Sequence, residues 1–178
     1  MGVRSGKGDK GFTDLVFHRH ISKDSSDMRA IGDLDELNSF LGLIRCKVRS
    51  RKDKIVLEKI QRTICVIISE IAVGEEKKKK MGCLLAQKDA VWIKKTEAEY
   101  EKKRNLDACF CLPGGSELSA YLDIVRSVAR RAERSVVGLL HGEKSKNENI
   151  LIYLNCISDI LFIMARSCGR KRKRRIRS

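Results

Sequence analysis

The sequence has little proline and few aromatic residues: one proline in 178 residues, and 5% phenylalanine, tryptophan and tyrosine together. A β-sandwich needs many turns and many aromatic or β-branched strand pairs, so this composition argues against one. The seven cysteines, at 46, 65, 83, 109, 111, 156 and 168, are odd in number and lack the C-x-x-C pairs of a zinc site. Reduced thiols in a cytoplasmic compartment are the simplest account, with no resident metal expected. The opening MGVRSGKGDKG has no apolar signal region, and Gly6 stands where a myristoylation motif requires Ser or Thr. No run approaches the roughly 20 apolar residues that cross a bilayer. A soluble protein without a membrane partner is expected.

What is present is a helical pattern. With 42% hydrophobic residues, the chain can bury a sizeable core as one domain. Asp33 followed by Glu36 reads as a capping box, after which Leu34, Leu37, Leu41, Ile44 and Val48 repeat at helical spacing. Asp35, Asn38, Gly42 and Arg45 share the second face of this helix, and Asp35 also suits the dipole of a first turn. Before it, Lys23 and Asp24 open a polar connection ending at Gly32. A second helix is expected from about Asp53 to Val73, with Ile55, Ile60, Ile64, Ile67, Ile68 and Ile71 inward. Gly74 and EEKKKK stop it. A more polar third helix, about Leu84 to Arg104, offers Val91, Trp92 and Ala98 to the core. A fourth ends near Leu140. The last, about Ile150 to Cys168, turns Leu151, Leu154, Ile157, Leu161 and Met164 inward and carries Asn155 and Asp159 on a polar stripe. If buried, that stripe needs partners, which the fourth helix could supply. The expectation is an all-α, five-helix bundle without strands.

The fourth helix carries RSVARRAER, Arg126 to Arg134, with four arginines and one glutamate in nine residues. Leu118, Leu122, Val125, Ala129, Ala132, Val136 and Leu140 form its apolar arc. Arg126 and Glu133 border that arc, Arg130 and Arg134 lie further round, and Arg131 points nearly away. A border guanidinium is partly desolvated and calls for a carboxylate or phosphate. The simpler alternative is a solvated basic face stabilised by helix-spaced ion pairs.

Ser5 to Thr13, SGKGDKGFT, combines glycines with lysine and hydroxyl groups. No strand precedes its G-x-G-x-x-G and its spacing is not that of a Walker A loop. Its chemistry still suits phosphate, because glycine lets backbone N–H groups approach closely while Lys7 and Lys10 supply charge. Read alone, such a segment is more often simply a flexible terminus. His18 and His20 form an H-x-H without a third ligand nearby and read as surface histidines. In Phe110 to Ser116, FCLPGGS, Pro113 and two glycines make a turn that Ser116 can cap. Phe110 reads as a core plug, the alternative being an aromatic presented to a ligand.

The net charge of +15 is uneven: Lys77 to Lys80 and the seven Lys and Arg residues of RKRKRRIR, Arg170 to Arg177, contribute eleven positive charges. Such runs attract nucleic acid only non-specifically, and no reading motif accompanies them.

SGKGDKGFT, Lys23-Asp24, GDLDELNSFLG (Gly32 to Gly42), FCLPGGS, RSVARRAER and YLNCISDILFIMAR (Tyr153 to Arg166) together resemble, in order and spacing, the corrinoid adenosyltransferases of the ATP:cob(I)alamin type. They cover a little over half of the chain; about Val48 to Asp107 matches only in helical pattern. The resemblance implies a five-helix bundle over residues 1–168, with an N-terminal ATP-binding segment at 1–32 and a basic tail at 169–178. It further implies a homotrimer with active sites between subunits. Cob(I)alamin, obtained by reduction of cob(II)alamin with a partner reductase, would attack the 5′ carbon of ATP, and Mg²⁺ would accompany the nucleotide.

Carried over by position, Ser5, Gly6, Lys7, Gly8, Thr13, Asp14 and Lys23 would bind ATP with Arg130, Arg131, Ala132, Glu133, Arg134 and Asn155. Arg126 would pair with Asp35 across the subunit interface. Phe110 would exclude the lower axial ligand of the corrin. Phe110, Asp35, Arg126 and Arg130 are thereby the expected catalytic set. Two positions depart from the pattern: Asp123 stands where the family usually has histidine, and Cys156 where it usually has arginine. Cys156 keeps open an alternative, a corrinoid- or nucleotide-binding helical protein without turnover. A nucleic-acid-binding bundle is a third reading, resting on the tail alone.

Overall fold

The computed structural model describes residues 9–15, 20–73, 84–103, 112–141 and 147–168. Among them are five long helices: α1 (Ser26–Lys47), α2 (Arg51–Val73), α3 (Gln87–Lys103), α4 (Glu117–His141) and α5 (Glu148–Cys168). A short antiparallel ribbon precedes them, β1 (Phe12–Thr13) paired with β2 (Ile21–Ser22), in the register Phe12 to Ser22 and Thr13 to Ile21. This ribbon corrects the expectation of no strand; two residues per strand are too few to show alternation.

α1 begins seven residues before Asp33, which corrects the capping-box reading. Ser25 is the N-cap and its side chain accepts from the Met28 N–H, while Asp27 sits in the first turn. Gly32 does not stop the helix, since a single interior glycine costs only about 1 kcal/mol and Ala30, Leu34 and Leu37 bury the face around it. Asp33 and Glu36 are thereby free to reach α4. The next link, Val48 to Ser50, is short, so α2 returns antiparallel against α1. The helices approach closely at Gly42, where a Cβ would meet Gln61 Nε2 at 3.2 Å. That nitrogen donates to the Asn38 carbonyl at 3.0 Å.

The helices pack in the order α2, α1, α4, α5, α3, and side chains close the ring between α3 and α2. Lys59 lies over the Trp92 ring at 3.9 Å, and the Tyr100 hydroxyl donates to Asp53 at 2.6 Å. The apolar faces of α1 and α4 are as expected, with Leu118 only half-buried. On α2, Ile55 is exposed and Val56 and Leu57 take the inward place. On α3, Val91 and Ala98 are exposed and Trp92 is half-buried; Ala90, Ile93, Thr96 and Tyr100 face the core instead. That stripe includes a threonine and a tyrosine among charged neighbours, so the apolar residues alone give it the wrong phase.

α5 is long and apolar enough to cross a membrane by length and composition, contrary to the expectation that no run is. Most of it is buried between α4 and α3, as a bundle's central helix must be. A buried carboxyl ties the far end of the bundle together. Glu70 accepts from the Leu85 N–H at 2.8 Å and from Asn147 Nδ2 at 3.0 Å, fixing the segments that lead into α3 and α5.

Candidate active site

Packing of Leu122, Val125, Ala129, Ala132 and Val136 into the core sets the rotation of α4, and that rotation disposes its arginines. A cleft of about 610 Å³ runs along the outward side of α4, lined by Pro113, Gly114, Asp123, Arg126, Arg131 and Arg134 among others. Pro113 and Gly114 of the turn thus meet the arginine helix in one place. Gly114 adopts φ +93°, a conformation that glycine takes without strain. Ser116 accepts from the Ser119 N–H at 3.1 Å, as a cap should, and its hydroxyl donates to the Cys168 carbonyl at 2.9 Å.

Arg126 is 31% exposed, yet its Nε is buried and has no acceptor among the described residues. The nearest carboxylate among the described residues is Asp123, whose Oδ1 lies 3.9 Å away, too far for a hydrogen bond. Arg131 reaches α1 and is engaged by two carboxylates, donating from Nε to Asp33 at 3.3 Å and from Nη2 to Glu36. Ser135 donates to the other Asp33 oxygen. The glutamate hydrogen bond and the surrounding negative charge raise the Arg131 pKa above its ordinary value. Arg130 and Arg134 are exposed, and Glu133 is half-buried beside them. Ala132 is wholly buried, so its side chain belongs to the core.

In the N-terminal ribbon, the Lys23 N–H donates to the Gly11 carbonyl at 2.9 Å, and Gly11 takes φ +79°. This folds the end of SGKGDKGFT back on Lys23 and sets Thr13 in the strand beside it. Asp14 is exposed and accepts the His20 N–H at 3.0 Å, and the His20 ring stacks on Phe12 with centroids 4.1 Å apart. His20 is a structural surface residue, as expected. Ser5, Gly6, Lys7, Gly8, His18 and Phe110 lie outside the described residues.

Asp35 is exposed on α1 and Asn155 on α5. Of the polar stripe on α5, Asp159 finds its partner on α3, where it and Cys156 both interact with Glu97, whereas Asn155 is exposed. Desolvation first, and then the Asp159 charge, raise the Glu97 pKa, with a hydrogen bond to Cys156 opposing. Burial, reinforced by Glu97, pushes the Cys156 thiol up to about 12. Cys156 is therefore a protonated core thiol. Two further residues of the site were not among those expected there: Asp123, buried in α4 and marked in the sequence only as a departure from the family pattern, and Arg166, in the last turn of α5, which donates to it. Asp123 stands three residues before Arg126 and could have been found by helix spacing. Arg166 could not, being 43 residues away.

The sequence profile of the cobalamin adenosyltransferase family matches residues 3–168. A corrinoid adenosyltransferase of Bacillus subtilis is 34% identical over 163 residues, covering 89% of this chain and 82% of that one. A cobalamin adenosyltransferase of Cupriavidus metallidurans is 37% identical over 164 residues, covering 92% and 85%. Among solved structures, a phenylalanine-to-alanine variant of the PduO-type ATP:corrinoid adenosyltransferase from Lactobacillus reuteri, complexed with cobalamin and ATP, superposes with a TM-score of 0.82. It is 28% identical, covering 93% of this chain and 92% of that one. With the family profile spanning nearly the whole helical bundle, and with the arginine helix and the proline–glycine turn meeting at one cleft, this chain belongs to the cobalamin adenosyltransferase family.

Proposed function

We infer that this protein transfers the 5′-deoxyadenosyl group of ATP to the cobalt of cob(I)alamin, giving adenosylcobalamin and triphosphate. The observation that carries this reading is the cleft where Arg126, Arg131 and Arg134 of α4 meet the Pro113–Gly114 turn. In the reaction the cobalt supplies an electron pair to the 5′ carbon, the bond from that carbon to oxygen breaks, and the triphosphate leaves with the pair. The protein needs no general base. It must align the two reactants and stabilise the negative charge that grows on the leaving group, which guanidinium and ammonium groups do.

Arg130, Arg131 and Arg134 take the triphosphate together with Lys23, Thr13 and the Ser5 to Gly8 loop, and Asn155 contacts the nucleotide. Glu133 orients the arginines. Mg²⁺ suits a donor set of phosphate oxygens with few protein ligands, so it would enter on ATP and screen the phosphates. Among the described residues no group of three His, Cys, Asp or Glu side chains could cage it. Asp35 of one subunit pairs with Arg126 of another in a homotrimer, an arrangement supported by the exposure of Asp35 and by the place of the part-exposed Arg126 in the cleft lining. Phe110 keeps the lower axial ligand off the cobalt, easing reduction of cob(II)alamin by a partner reductase. Residues 1–168 act as the transferase domain and 169–178 as a basic tail, in a protein that works in the cytoplasm.

The identity of the leaving group tests this reading. Intact triphosphate formed in step with adenosylcobalamin supports it, whereas ADP and phosphate would mean phosphoryl transfer. Cys156 favours the second reading, a binding protein without turnover. A shift of the cobalamin spectrum with no product would select it.

A further inference from the structure

Two arginines converge on one buried carboxylate at the edge of the cleft. Asp123 is 7% exposed, and its Oδ2 accepts from Nη2 of Arg166, which is itself only 11% exposed. Arg166 also makes a cation–π contact, with its guanidinium 5.3 Å from the centre of the Phe162 ring. Asp123 Oδ1 faces Arg126 Nε at 3.9 Å, beyond hydrogen-bond reach. The Nε atoms of both arginines are buried without an acceptor among the described residues. Two guanidinium charges thus share one carboxylate charge, and the closer contact goes to the arginine that lies deeper.

The consequence is electrostatic. A carboxylate bound directly to Arg126 would neutralise it and satisfy its donors. A carboxylate already committed to Arg166 attracts Arg126 enough to fix its rotamer but leaves its charge available. Arg126 lines the cleft, so that charge faces whatever enters there. We propose that Asp123 is a positioning residue: anchored by Arg166, it holds the Arg126 guanidinium at the cleft with its charge still free for an incoming carboxylate or phosphate. This rests on the transferase reading above for its catalytic consequence, though not for its geometry.

Two variants and two measurements test it. Asp123→Asn keeps the shape and removes the charge. Arg166→Gln keeps Asp123 but releases it onto Arg126. Both should lower kcat about 10-fold with the KM for ATP changed less than about 2-fold, since misplacing Arg126 affects alignment more than nucleotide binding. Asp123→Glu, which retains the carboxylate, should recover part of the loss. In side-chain NMR of protein labelled with ¹⁵N-arginine, the Nε–Hε signal of Arg126, assigned by its disappearance in Arg126→Lys, should move in both variants. A purely structural Asp123–Arg166 pair would instead lower Tm while leaving kcat and the Arg126 signal unchanged, and that result overturns the proposal. Should the parent protein form no adenosylcobalamin, the transferase reading fails, and the Arg126 signal alone decides the positioning.

Discussion

Arg131 on α4 and Asp33 on α1 are joined by a hydrogen bond of 3.3 Å, and Glu36, one turn along α1, holds the same guanidinium. The helix bearing Asp35 is thereby fastened to the helix bearing the arginine cluster. Because the pair is solvent-exposed, its effect on stability should be slight. Arg131→Ala should therefore change Tm little and yet slow turnover at least about 10-fold, because the side chain is also part of the proposed triphosphate clamp. Steady-state kinetics beside a melting curve separate the two; a large fall in Tm with normal turnover would make Arg131 a brace only.

Arg130 is exposed and has no comparable contact among the described residues. Arg130→Ala should reduce turnover by about 100-fold or more, as loss of a charge-stabilising donor does, and leave the protein folded with the same mass in solution as the parent. Near-normal conversion of cob(I)alamin by this variant would remove Arg130 from the clamp.

Asp35→Asn and Arg126→Ala should each impair activity, and the double variant should be little worse than either, since paired residues are non-additive. Independent, additive losses would refute the pair. The same cycle read by sedimentation reports whether the pair joins subunits.

How much of this could be read from sequence depended on the kind of signal. The faces of α1 and α4 were legible because leucine, isoleucine, valine and alanine recur on one side at helical spacing, and α4 placed its arginines accordingly. The start of α1 was not, because Asp33 and Glu36 imitate a capping box while serving as ligands for Arg131 and Ser135. α3 was misread because Thr96 and Tyr100 do the work of apolar residues. The Asp123–Arg166 pair joins two helices, and contacts of that range leave no periodic trace.

Titration at the α3–α5 contact offers a pH test. Glu97 has a raised pKa in the folded protein, so folding favours its protonated form. Below the ordinary carboxyl value of 4.5 the group is protonated whether folded or not, and the penalty is absent. Above it, stability falls as pH rises toward the folded pKa. Glu97→Gln should therefore raise Tm at neutral pH and gain little at pH values below about 4. An equal effect at both would show that the charge of Glu97 is not disfavoured.

Cys156 should resist alkylation in the native protein, being buried with its thiol pushed up to about 12, whereas the exposed Cys46 and Cys65 should react. Peptide mass spectrometry after a brief treatment with iodoacetamide distinguishes them. Rapid labelling of Cys156 would contradict its place in the core.

The most direct measurement is anaerobic incubation of the protein with reduced cobalamin, Mg²⁺ and ATP, followed by the absorbance spectrum before and after illumination. A protein-dependent spectrum of adenosylcobalamin that light abolishes, as cleavage of a cobalt–carbon bond requires, is the predicted result. A cobalamin spectrum that depends on the protein but never acquires light sensitivity would contradict the assignment of adenosyl transfer.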